Sequence, residues 1–140
     1  MKYLYLITSS LIIAYLVVLI FIYFYQRNLL YHPSENNYQN DEAQFDFEEV
    51  NVEVEGEIKL KSWLINKDFT KLKTLLMFHG NAGDLSNRIY KLNELNKLNI
   101  NILLISWRGF SGNKGSPTEQ NLYKDAEAAI KWLNKKKVDN

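Results

Sequence analysis

The chain has 140 residues, with 17 Lys and Arg against 16 Asp and Glu, and contains no Cys. The missing Cys excludes disulfides, thiolate nucleophiles and Cys-ligated zinc or iron–sulfur centres. A formal charge of +1 gives no basic field to hold a polyanion, which argues against nucleic acid as a partner. A hydrophobic fraction of 46% with two Pro points to a folded chain. The 16 Asn are scattered evenly and read as a compositional habit, so no single Asn is given functional weight on its type alone.

From the N-terminus, Tyr3 to Gln26 is a run of 24 residues without a charge. As a helix it reaches about 36 Å, enough to cross a hydrocarbon core of roughly 30 Å with some tilt. A signal peptide has an apolar region of about 7 to 15 residues and then a small-residue cleavage site; this run is longer and ends in Phe21, Tyr23, Phe24 and Tyr25. The reading is an uncleaved single-pass anchor over residues 3–26, partnered by the bilayer. Tyr3, Tyr5, Tyr23 and Tyr25 stand near its two ends, where amphipathic rings favour the headgroup layer, while Tyr15 falls in mid-span. A core helix of a soluble domain would need a larger surrounding body than this chain supplies.

Lys2 and Arg27 flank the run, which leaves residues 28–140 with 15 basic against 16 acidic residues and a formal charge of −1. No Lys or Arg follows Arg27 until Lys59, whereas Glu35, Asp41, Glu42, Asp46, Glu48, Glu49, Glu53, Glu55 and Glu57 accumulate. The lack of basic residues favours a cytoplasmic N-terminus and a body on the non-cytoplasmic side. The acidic stretch reads as a solvated surface, and residues 27–44, including the polar connector Ser34 to Asp41, read as a linker.

The body, residues 45–140, opens with a hairpin pattern. Val50, Val52 and Val54 alternate with polar residues, Gly56 supplies a turn, and Ile58, Leu60 and Trp63 to Ile65 resume the extended pattern. Thr74 to Phe78 and, apart from Asn101 and Ser106, Ile100 to Trp107 are instead apolar on successive positions, the signature of parallel strands covered on both faces. Between them Ile89, Leu92, Leu95 and Leu98 recur every third residue, predicting a crossover helix that opens near Asp84 or Ser86. A second helix is predicted from Ser116 as cap, Pro117 in the first turn and Glu119 as capping-box acid, with Leu122, Ala126, Ala129, Ile130 and Leu133 as its buried stripe and Lys135 to Lys137 at its end. The fold class is α/β.

Ligands in open parallel sheets bind at strand ends, which singles out two loops. The first, Phe78-His79-Gly80-Asn81-Ala82-Gly83-Asp84, runs from a strand through a glycine turn toward a helix, and suits an anion, either a phosphate or a developing oxyanion. Neither a dinucleotide fingerprint nor a P-loop fits it, and a ligand-free tight turn has the same spacing. The second loop is Trp107-Arg108-Gly109-Phe110-Ser111-Gly112-Asn113-Lys114-Gly115-Ser116-Pro117.

Together HGNAG and WRGFSGNKGSPTEQNLYKDA, with the post-anchor Leu30-Tyr31-His32-Pro33, resemble the α/β-hydrolase superfamily, more narrowly its membrane-anchored serine-aminopeptidase-like and esterase-like branch. The resemblance covers about residues 29–139. It implies the first half of an α/β-hydrolase sheet and a serine hydrolase that cleaves a small ester or amide through an acyl-enzyme, without cofactor. It further implies that the backbone N–H of Asn81 serves the oxyanion hole, with His79, Gly80, Arg108 and Gly109 supporting the site. The superfamily order of nucleophile, acid and then His makes His79 unsuitable as general base. His32 reads as an interfacial or loop residue, and two isolated His without Cys make no metal site.

No G-x-S-x-G elbow occurs in the sequence; Gly109-Phe110-Ser111-Gly112 has the wrong spacing and lies one strand too early, so Ser111 reads as a turn residue. The nucleophile, acid and base are expected beyond Asn140, and the chain by itself is expected to be inactive. Ser106 stands where relatives often carry an acid. Two other readings stay open: a short membrane-tethered, non-catalytic α/β scaffold that binds a protein or lipid, and a nucleotide-binding doubly wound domain.

Overall fold

The computed structural model describes residues 1–34 and 43–136. The predicted connector residues 35–41, the acids Glu35, Asp41 and Glu42, and Lys137 lie outside the described residues. The chain forms two compact units, Met1–Tyr31 and His32–Asn140.

The first unit is one helix, α1 (Lys2–Leu30). Its 29 residues reach about 43 Å at the helical rise, and it is long and apolar enough to cross a membrane. Two of the hydroxyls within it bond to its own backbone: Thr8 Oγ1 donates to Leu4 O, and Ser9 Oγ to Leu6 O at 3.0 Å. Such back-bonding lets hydroxyl residues sit in an apolar helix. Helical structure continues four residues past the charge-free run, because Arg27 and Asn28 carry no signal that stops a helix. It ends at Tyr31, whose extended backbone still donates to Arg27 O at 2.9 Å.

The body is built on a four-stranded sheet of β2 (Glu48–Glu53), β3 (Lys59–Ile65), β4 (Thr74–Phe78) and β6 (Asn101–Ile105), in the order β2-β3-β6-β4. The hairpin prediction holds: β2 and β3 are antiparallel, with Val50 opposite Ser62 and Val52 opposite Leu60. β4 and β6 are parallel, Thr74 beside Asn101 and Phe78 beside Ile105. β6 lies between β3 and β4 and is buried along its whole length, which explains the apolar run Ile102 to Ile105 that follows Asn101. β4 has β6 as its one partner among the described residues, and its residues are half-buried, with Leu75 37% exposed. Its covered-strand pattern is therefore only partly used here.

Helices lie on both faces of the sheet, giving the α/β architecture. On one face α3 (Glu119–Lys135) sets Ala128, Ala129 and Leu133 against Val50, Val52, Leu60, Leu64, Leu103 and Ile105. On the other, Leu85, Ile89 and Leu92 pack on Trp63, Ile65, Ile102 and Leu104. Alternate residues of β3 and β6 thus feed the two cores.

Both helix predictions need correction in detail. The crossover segment is a 3-10 turn, Ser86–Arg88, followed by the two-turn helix α2 (Ile89–Leu95). Leu98 lies beyond it and is 51% exposed. A strict spacing of three matches a 3-10 period better than the 3.6 of a long helix, and the segment ends in successive tight turns, Lys97 N–H to Glu94 O and Leu98 N–H to Leu95 O. The cap of α3 is Thr118, whose Oγ1 accepts from Asn121 N–H at 3.2 Å, rather than Ser116. Ser116 contributes its carbonyl, which accepts from Asn121 Nδ2 at 3.0 Å. Within α3, Ile130 is 49% exposed, while Asp125 is fully buried.

A further pairing was not predicted. His32–Pro33 forms a short strand, β1, parallel to β5 (Ala82–Gly83). The stretch read as linker therefore holds ordered structure at its start.

Candidate active site

The two loops singled out in the sequence follow β4 and β6, adjacent parallel strands, and emerge side by side at the carboxyl ends of those strands. Their first residues interlock. Phe78 and Trp107 stack with ring centroids 4.6 Å apart, and Trp107 Nε1–H donates to His79 O at 2.9 Å.

His79 is almost fully buried, and Phe110 packs edge-on against its ring at 4.9 Å. Its Nε2 accepts the backbone N–H of Trp107 at 3.2 Å, so the ring proton sits on Nδ1, which donates to Gly80 O at 2.7 Å. Desolvation drives its pKa down to about 4, assisted by the nearby Arg88 cation and opposed by the Gly80 hydrogen bond and Asp84. A neutral imidazole with both nitrogens engaged is a structural part. Ser106 Oγ lies 3.4 Å from Nε2 and donates to Ser111 Oγ at 2.8 Å. Ser106 is buried and takes its hydrogen bonds from within this cluster, so a neutral hydroxyl suits the position.

The rest of the first loop is held from two sides. Asn81 O accepts from His32 N–H at 2.8 Å and Gly83 O from Ser34 N–H at 3.3 Å; Ala82 O accepts from Arg88 Nη2 at 2.8 Å. Gly83 has φ of +80°, and a Cβ there would stand 2.1 Å from Asn87 Oδ1. That oxygen already accepts Asp84 N–H at 2.9 Å, so the position requires glycine. Asp84 gathers Ser34 Oγ at 2.5 Å, Ser86 Oγ at 2.5 Å and Ser86 N–H at 2.9 Å on its carboxylate. Burial alone would raise the Asp84 pKa; these hydrogen bonds and that of Asn87 N–H outweigh it and hold the carboxyl below its ordinary value.

The second loop is organised by an ion pair of which the sequence showed only one member. Arg108, 4% exposed, sends Nη2 to Asp125 Oδ1 at 2.6 Å and Nε to the same oxygen at 2.8 Å. The Arg108 backbone N–H donates to Asp125 Oδ2 at 3.1 Å. Glu55 Oε1 lies 3.7 Å from Nη1 and also faces Lys124 Nζ at 3.0 Å. The Lys124 hydrogen bond is the main cause that holds the Glu55 carboxyl below its ordinary pKa. Arg108 is thus locked to α3. Asp125 lay one turn from Leu122 and Ala129 in a stripe read as apolar, and only the presence of a buried-loop Arg could have flagged it.

Gly109 follows with φ of +81°, where a Cβ would meet Pro117 Cδ at 2.8 Å. Asn113 closes the loop: Nδ2 donates to Ser106 O at 2.9 Å and Trp107 O at 3.3 Å, and Oδ1 accepts Lys61 N–H at 2.8 Å. Ser111 is buried with φ of +50°, and its hydroxyl accepts Leu85 N–H at 3.3 Å. That environment fits a turn residue and leaves its oxygen no access to a ligand. Among the described residues no group of three or more His, Cys, Asp or Glu is placed to hold a metal.

No family model matches the chain. An uncharacterized protein of Mycobacterium tuberculosis, Rv2307c, is 34% identical over 119 residues, covering 84% of this chain and 42% of that protein. Protein bem46 of Schizosaccharomyces pombe is 31% identical over 127 residues, with the same two coverages. The α/β hydrolase domain-containing protein WAV2 of Arabidopsis thaliana is 31% identical over 63% of this chain and 29% of its own length. The chain therefore spans less than half the length of the curated relatives it matches. Among solved structures, the Pyrococcus furiosus esterase Pf2001 superposes with a TM-score of 0.58 at 22% identity, over 75% of this chain and 40% of the esterase.

Proposed function

Because the chain belongs to the α/β-hydrolase superfamily, of whose fold it carries a part, we propose that it supplies the oxyanion side of a membrane-anchored serine hydrolase acting on small esters or amides through an acyl-enzyme. The observation that carries this reading is the loop after β4. Its backbone is fixed by His79, Arg88, His32 and Ser34 before any ligand arrives, and preorganised amides are what a developing oxyanion requires. In this reading the Asn81 N–H is one donor, and His79, Gly80, Arg108 and Gly109 support the site without touching the reacting atoms. The nucleophilic Ser, the acid that orients the base and the His that transfers protons belong to the part of the relatives' length that this sequence does not cover. Helix α1 anchors the enzyme, and the body works on the non-cytoplasmic side.

The test is to read the frame past Asn140 and probe the product. A G-x-S-x-G is expected within about 15 residues, one strand of ordinary length further on. The extended protein should react with a fluorophosphonate probe at that Ser, and the 140-residue chain should not. A stop codon directly after Asn140, or an extended protein that ignores the probe, overturns the hydrolase reading in favour of a tethered, non-catalytic scaffold. Protease accessibility of the body in intact cells checks its side of the membrane.

A further inference from the structure

We propose that His79 and the strap His32–Ser34 are positioning elements that aim the Asn81 backbone N–H; the proposal deepens the oxyanion assignment above and rests on it for its catalytic consequence. A trans peptide is planar and holds its C=O and N–H on opposite sides. The Gly80–Asn81 peptide is trans, and its oxygen is held at 2.7 Å by His79 Nδ1–H. The imidazole therefore fixes the direction in which the N–H of the same peptide, that of Asn81, must point. The following peptide is fixed in the same way, since Asn81 O accepts His32 N–H at 2.8 Å. With a restraint on each flanking plane, the backbone at Asn81 has little rotational freedom left.

Each restraint is itself secured. The His79 ring cannot exchange its tautomer without losing the Trp107 N–H bond to Nε2, and Phe110 closes one flank of it. The strap is tied down at its far end by Ser34, through N–H to Gly83 O and Oγ to Asp84 Oδ2. Trp107 begins the second loop, so the arrangement also passes the position of that loop to the Asn81 amide. A histidine kept neutral, buried and doubly bonded has the properties of a fixed donor rather than of a proton carrier.

Two variants and two readouts test this. In the 140-residue chain in detergent micelles, nitrogen-15 NMR should show His79 as the Nδ1–H tautomer at neutral pH, and a slowly exchanging strap. His79→Ala should shift the Asn81 amide resonance and speed exchange across 80–83 at least tenfold, and His79→Asn, which offers a donor in the Nδ1 position, should restore most of it. Ser34→Ala should speed exchange at Gly83 and Asp84 and displace Asn81 less. In the extended protein, His79→Ala should lower kcat by about 10- to 100-fold with KM nearly unchanged, since loss of a whole oxyanion donor costs roughly 10²- to 10³-fold; His79→Asn should recover part. An Nε2–H tautomer, or an Asn81 amide indifferent to His79→Ala, overturns the positioning role. If the NMR effects appear while kcat does not move, the aim is real and the oxyanion assignment of Asn81 fails instead.

Discussion

Asp125→Ala removes the anion that faces Arg108 and leaves a guanidinium in a site where the residue is 4% exposed. Three hydrogen bonds disappear at once, two from the guanidinium and one from the Arg108 backbone N–H. The remaining carboxylate nearby, Glu55, is half exposed, stands 3.7 Å away and already serves Lys124. Breaking a buried pair from one side costs about 3–5 kcal/mol, mostly for the charge left behind. A body of about 100 residues holds on the order of 5–15 kcal/mol in total, so the variant should lose roughly a fifth of its stability at the least and, at the low end of that range, all of it. At about 4–8 °C per kcal/mol for such a size, the melting midpoint should fall by more than 10 °C. Trp63, Trp107 and Trp132 all lie in the body, so fluorescence during guanidinium unfolding in micelles reads this unit directly. The double variant Arg108→Met with Asp125→Leu should cost less than Asp125→Ala alone, because it leaves no buried charge. A loss below about 1 kcal/mol for Asp125→Ala, or a double variant worse than the single, would refute the idea that this pair holds the second loop to α3.

Three further outcomes are expected. Asn101→Leu should destabilise the body by on the order of 3 kcal/mol, about what two stranded amide donors cost, since Asn101 Oδ1 accepts Lys67 N–H and Asp68 N–H at 2.8 and 3.0 Å; unfolding midpoints check it. Gly83→Ala should cost about 1–3 kcal/mol from backbone strain, and adding Asn87→Ala should relieve the 2.1 Å clash but not the φ of +80°, so recovery should be partial. The pH dependence follows from His79, which titrates near 6.5 when unfolded and near 4 in the fold. The unfolded chain binds more protons between those values, so stability falls as pH drops from about 6.5 to 4, by about 3 kcal/mol at full extent. Asp84, with a folded pKa below its ordinary value, loses its contribution only under still more acidic conditions. Unfolding stabilities of the wild type and His79→Asn should differ in slope between about pH 4 and 6.5 and run parallel on either side of that window.

Much of the fold was legible because burial imposes a period. The alternation of Val50 and Val52 and the run Ile102 to Ile105 of β6 are direct imprints of one covered face and two. Helix limits were harder to read. Ser116, Pro117 and Glu119 satisfied the pattern of a capping box, yet Thr118 sits where its hydroxyl reaches Asn121 N–H, because a cap is chosen by backbone direction as well as by residue type. Ile130 matched the helical stripe by hydrophobicity, but the sheet contact falls on Ala128, Ala129 and Leu133, where small residues let α3 approach. The even scatter of Asn disguised Asn101 and Asn113, both buried and both bonded to backbone on more than one segment. Nothing in composition separates such residues from solvent-exposed ones; the distinction lies in which backbone groups the fold leaves needing a partner.

The placement of buried polar groups ties stability to the site. Apart from Ser62 and Asn101, apolar residues fill both sheet faces, whereas His79, Asp84, Ser106, Arg108, Ser111, Asn113 and Asp125 are all buried at or near the ends of β4 and β6. A buried polar group is costly unless bonded, and these are bonded chiefly to one another and to loop backbone. The consequence is geometric. An apolar core tolerates sliding and repacking, but a network of directed bonds has one satisfied arrangement. The sheet supplies the platform, and this polar layer dictates where the loop backbones stand above it. Substitutions in the layer should therefore lower stability and alter loop geometry together, while apolar substitutions such as Leu92→Val should lower stability and leave the Asn81 amide where it is.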